Sequence, residues 1–207
     1  MAPVTIDGQS FAEPDWPGSP DLPRLLARLL ATMRPLFGAA ACSVALASDE
    51  SSLTFVAASG EGAADVVGQN LPTDRGVAGW AATSGQTISV ADVQADARFA
   101  HDVAQATGYL PQRITAVPVT RADTTIGVVE VLDGDSAVLN SAAGSSALFS
   151  LAAAVADLVT TLAGRAGESP ARLRLLEALD RIEDDPDLVD HVTAVVTALG
   201  GGPGRRR

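Results

Sequence analysis

The chain has 207 residues, 47% of them hydrophobic and only 4% aromatic, so a core of Ala, Val and Leu is within reach of one domain with extensions or of two small ones. A net charge of -11 excludes the broad basic face that nucleic acid or an anionic membrane requires. All 14 basic residues are arginine, and Cys42 is the single cysteine, which excludes an intrachain disulfide and suits a reducing cytoplasm.

Residues 1–20 hold four prolines and little periodicity, and are expected to form a flexible lead-in without the cationic start and apolar run of a signal peptide. A helix is predicted from about Asp21, with Leu22, Leu26, Leu29, Met33 and Leu36 at spacings of four and three, Pro23 in its first turn, and Pro35 and Gly38 at its end. "CSVALAS" and "LTFVAAS" then read as a strand pair around the turn-forming "DESS". In "DRGVAGWAATSGQ", residues 74–86, the glycines have the spacing of neither a P-loop nor a dinucleotide fingerprint. Asp74 is expected to cap a helix over about 75–84 that Gly85 ends, Gly76 and Gly79 to let it lie close to a neighbour, and Trp80 to fill the space beside them. "QTISVAD", "RITAVPVT" and "TTIGVVEVLDG" supply three further strands, the last two joined by a "RAD" turn. "RFAHDVAQATGY" between them is a short helix or an irregular loop.

A second long helix is predicted from Ser141 to about Arg165, with Leu148, Leu151, Val155, Leu158 and Leu162 stepping by three and four. Both long helices carry a heptad-like seam, which periodicity leaves open between packing inside one chain and a dimer-forming bundle. Asp157 and several hydroxyls argue against that helix crossing a membrane. Residues 166–199 read as a C-terminal pair of amphipathic helices, begun by Ser169-Pro170 and Asp185-Pro186, and 200–207 as a flexible tail. The acidic run "EDDPDLVDH" reads as a helix start favoured by the helix dipole, because its adjacent carboxylates cannot converge on one ion.

The stretch "LPTDRGVAGWAATSGQTISVADVQADARF" resembles the middle of a GAF domain, through Gly76, Gly79, Gly85, Asp92, Asp96, Arg98 and Phe99. "ITAVPV" and "IGVVEVLDG" resemble two of that family's strands, and the likeness runs over roughly 21–165 in the family's order. It implies an α+β fold: an antiparallel sheet of five or six strands, N- and C-terminal helices on one face, and a small-molecule pocket on the other. It further implies a non-enzymatic sensory or regulatory module, with Trp80, Val90, Phe99, His101, Tyr109, Ile114 and Val117 flanking the ligand and an unidentified ligand or cofactor. The family's methionine sulfoxide-reducing branch uses several cysteines, whereas Cys42 has no partner and sits in an apolar strand. The cyclic-nucleotide pattern N-K-x(n)-F-x(3)-D-E is absent with lysine itself, and a bilin would need a cysteine in the pocket loops. His101 is the one histidine in the region where haem could be held, and beside Asp102 it reads more simply as a solvent-facing side chain. Arg98 is expected to pair with Asp92 or Asp96, or to reach over the pocket to an anion. The expected partners are a second copy, through the long terminal helices, and an unidentified protein that receives the signal in trans. The competing expectation is a GAF fold whose pocket is filled by its own side chains and which serves only for assembly.

Overall fold

The computed structural model describes residues 4–6, 9–11, 21–99, 104–105 and 107–163. The expected C-terminal helical pair, the acidic run at 183–191 and His101 lie outside them. Among the described residues the order is β1 (Val4–Ile6), β2 (Gln9–Phe11), α1 (Leu22–Leu36), β3 (Ala41–Ala47), β4 (Ser52–Gly60), α2 (Ala63–Val66), β5 (Asn70–Pro72), α3 (Gly76–Ser84), β6 (Ile88–Val90), β7 (Ile114–Arg121), β8 (Thr124–Leu132), α4 (Ser136–Leu139) and α5 (Ala142–Ala163). The strands form one antiparallel sheet in the order β1-β2-β4-β3-β8-β7-β6, with β5 added along part of β4. The domain proper thus carries six strands among the described residues, β3 to β8, within the expected five or six. The lead-in differs from expectation: Val4–Ile6 pairs with Gln9–Phe11, and β2 continues the sheet against Ala57 and Ala58 of β4. A strand edge left by β4 offers unpaired amides, and a short extended segment satisfies them.

Alternation along the strands divides the side chains between two cores. Cys42, Val44 and Leu46 of β3, Val117 and Val119 of β7, and Val129 and Val131 of β8 face α1 and α5. Ala45, Ile114, Ala116 and Val128 face the opposite side, where α3 packs. A bulge on β4, where Val44 pairs with Ala57 but Ala45 with Phe55, reverses its parity. Leu53 and Phe55 therefore look toward α3, while Val56 and Ala57 look toward the long helices. Both heptad-like seams are spent inside the chain: Leu26, Leu29 and Met33 share one core with Leu148, Leu151, Val155, Leu158 and Leu162. α5 is long and apolar enough to span a membrane by length and composition, but that seam is occupied by the sheet and α1. Burial of Cys42 in the same core pushes its thiol up to about 12, far from a reactive thiolate.

α3 is the element on which the other face depends. Arg75 occupies its N-cap position with extended backbone and no side-chain capping bond, so Asp74 is not the cap residue expected from sequence. Gly85 ends it in the left-handed region at φ 65°, with its N–H donating to the Ala81 carbonyl. Gly79 is where α3 touches its neighbour: a Cβ there would stand 2.8 Å from the Thr73 oxygen and 2.9 Å from that of Pro72. The absent side chain lets the helix backbone rest on the end of β5.

Candidate functional site

Between α3 and the sheet lies a small cleft of about 70 Å³ that opens to solvent at its mouth. Its floor is the sheet: Phe55 from β4, Ile114 from β7, and Glu130 and Leu132 from β8. One wall is the first turn of α3, Gly76 to Ala78, together with Leu71 of β5. The roof comes from the segment after β6, with Phe99, Ala104, Thr107, Tyr109 and Pro111.

Nearly all of this lining is apolar, and the exceptions are specific. Glu130 is 8% exposed and follows Val129, which faces the helices, so strand alternation turns its carboxyl to the cleft. Ser43, its cross-strand neighbour on β3, donates a hydrogen bond to Glu130 Oε2 at 3.2 Å. Burial pushes the carboxyl up to about 7, outweighing the opposing hydrogen bond from the Ser43 hydroxyl. The first turn of α3 has no side-chain cap, so its N–H groups are open to an acceptor.

The roof is tied down from the sheet. Asp133, just beyond β8 in the left-handed region at φ 51°, accepts from the backbone N–H groups of Gln112 and Arg113 through Oδ1. Its Oδ2 accepts from the Tyr109 hydroxyl. Burial first and the Asp133 hydrogen bond second raise the Tyr109 phenol well above its ordinary range. Thr107 closes its own turn by donating to the Ala104 carbonyl at 3.0 Å.

Of the residues expected around a ligand, Phe99, Tyr109 and Ile114 meet in this cleft. Trp80 does not: it sits on the outer side of α3, 48% exposed, with the Arg98 guanidinium 5.8 Å from its ring centroid. Gly76 to Gly79 and Ala81 are buried, whereas Trp80 shares the solvent-exposed side of α3 with Thr83 and Ser84. Val90 is buried in the core on the cleft side without lining the cleft, and Val117 faces the long helices, one strand position out of phase with Ala116. Arg98 binds Asp96, donating from Nε at 2.8 Å, and that bond holds Asp96 down at about 2. The pair lies outside the cleft lining.

The GAF domain family model matches residues 19–164, most of the chain. The chain belongs to the GAF domain family. Solved structures agree at the level of fold. The GAF domain of a phosphoenolpyruvate-protein phosphotransferase from Coxiella burnetii superposes with TM-score 0.58 at 17% identity, over 69% of this chain and 84% of that one. The free methionine-R-sulfoxide reductase from Neisseria meningitidis, solved with its substrate, gives 0.52 at 22% identity, over 68% and 81%. The GAF-B domain of DevS from Mycobacterium smegmatis gives 0.51 at 20% identity, over 67% and 93%.

In this GAF domain the residue that sequence reasoning missed is Glu130. Its signal was present: it is the lone acid in the strand "TTIGVVEVL", and parity with Val128 assigns it to the face opposite the terminal helices. Phe55, Leu71, Val77 and Thr107 left no such trace, because their approach to one another is set by the β4 bulge and the docking of α3.

Proposed function

We propose that this GAF domain is a sensory or regulatory module, without chemistry of its own, that binds a small molecule in the cleft and passes the event to a partner protein in trans. The observation that carries this reading is a largely apolar cleft with a buried acid, Glu130, on its floor. Occupancy would change the packing of the 104–112 roof and of α3. The sheet then connects that face to α1 and α5, the elements available to a partner. Reduction chemistry fits poorly, since the Cys42 thiol lies on the helix side of the sheet and is held protonated. We place the protein in the cytoplasm.

Native mass spectrometry of protein purified from its own host tests the reading. A retained small molecule, displaced by Phe55→Trp, supports it. A bare chain that no metabolite extract shifts in melting temperature counts against it.

The assembly reading is favoured by one observation, Phe149 standing 57% exposed on α5. It requires a homodimer through that helix. Sedimentation as a monomer at high micromolar concentration removes it, and a dimer abolished by Phe149→Ser supports it.

A further inference from the structure

The cleft carries two electrostatic features of opposite sign, and their relative strength decides what it selects. The uncapped first turn of α3 presents about half an elementary positive charge, spread over N–H groups at the rim. Glu130 presents a full negative charge when ionised, on a side chain 8% exposed, with Ser43 as its hydrogen-bond partner among the described residues. No described residue of the lining is basic. An anion drawn to the α3 turn would share a low-dielectric hollow with a carboxyl, so the carboxyl would have to stay protonated or the anion would be expelled. A cation suffers no such conflict. It gives the carboxylate a charge partner that no described residue of the lining supplies.

Resting on the sensory reading above, we propose that the cleft selects a small molecule with an apolar body and a protonated amine, the amine pairing with Glu130. The apolar part lies against Phe55, Val77 and Leu132, and an acceptor atom, where the ligand has one, meets the α3 turn. Selection is against carboxylates and phosphates. A pH signature follows from the groups facing Glu130. Across the cleft from β4, β5, α3 and the roof, Tyr109 is the one other titratable lining residue among the described residues, and it stays neutral with Asp133 bonded to it and Glu61 nearby. Among the described lining residues Glu130 is thus the group that changes charge near neutral pH, and amine binding tightens as it ionises.

Three probes of one skeleton test this: benzylamine, benzyl alcohol and benzoate, titrated into the full chain by heteronuclear NMR and followed at the amides of Phe55, Val77, Thr107 and Tyr109. The expected order is amine, then alcohol, with benzoate without effect. Glu130→Gln, which keeps size and hydrogen bonding, should bring the amine to the alcohol's affinity, a loss of roughly tenfold or more. Between pH 5.5 and pH 8 the native chain should bind the amine roughly tenfold more tightly at the higher value, and the Gln variant should show no such change. Benzoate binding as well as the amine, or an amine affinity unmoved by Glu130→Gln, overturns the ligand class while leaving the cleft a binding site. Shifts at those amides with none of the three probes overturn the proposal and the sensory reading together.

Discussion

Replacing Glu130 with glutamine tests the site without any ligand. The amide keeps the volume of the side chain and an acceptor for the Ser43 hydroxyl, and it removes the titration. In the native chain burial raises the carboxyl from 4.5 to about 7. An acid raised on folding keeps, in the folded state, a proton that the unfolded chain has already lost. Stability therefore falls as pH rises from the unfolded value through the folded one. At about 1.4 kcal/mol per pH unit, the interval between 4.5 and about 7 amounts to about 3 kcal/mol, absent below the interval and fully felt above it. Urea unfolding of the two proteins at pH 5 and pH 8 reads this directly. The expected result is agreement within about 1 kcal/mol at pH 5 and an advantage of about 3 kcal/mol for Glu130→Gln at pH 8, or roughly 6–12 °C in melting temperature. Every other titratable group is common to both proteins and cancels in the difference. An equal difference at the two pH values, or a Gln variant that is the weaker protein at pH 8, would refute the claim that this carboxyl is desolvated.

Gly79→Ala forces a Cβ to within 3 Å of two backbone oxygens, so α3 must lift from β5; a loss of about 1–3 kcal/mol is expected by chemical denaturation. In the β7–β8 turn Ala122 and Asp123 both lie at positive φ, 45° and 64°, the geometry of a two-residue hairpin turn that glycine enters freely. Ala122→Gly should therefore stabilise the domain, by up to about 1 kcal/mol after its added unfolded-state entropy, where the same change in a regular strand would destabilise it. Tyr109→Phe removes the hydroxyl that ties the roof to Asp133. Amide exchange should speed up across residues 104–112, consistent with loss of about 1–2 kcal/mol of local stability, while α1 and α5 remain unchanged.

The order and type of the principal elements were written in local patterns that no tertiary contact had to supply. The three-four spacing of Leu22 to Leu36 and of Leu148 to Leu162, the alternation in "RITAVPV" and "TTIGVVEV", and Gly85 after the short helix each dictate their own backbone. The family likeness added the layer order: terminal helices on one face of the sheet, the hollow on the other. Tertiary structure decided the rest. Trp80 points outward because α3 rotates to seat Gly79 against Pro72 and Thr73, and a tryptophan among small residues does not reveal that rotation. Val117 and Ala116 exchange faces with one step of register, which pairing with β8 fixes and composition does not. β5, α2 and α4 are too short to carry a period and exist because longer elements hold them. Glu130 stands between the two regimes. Strand parity assigned its face, but only the covering of that face by α3 and the roof takes a carboxyl out of water.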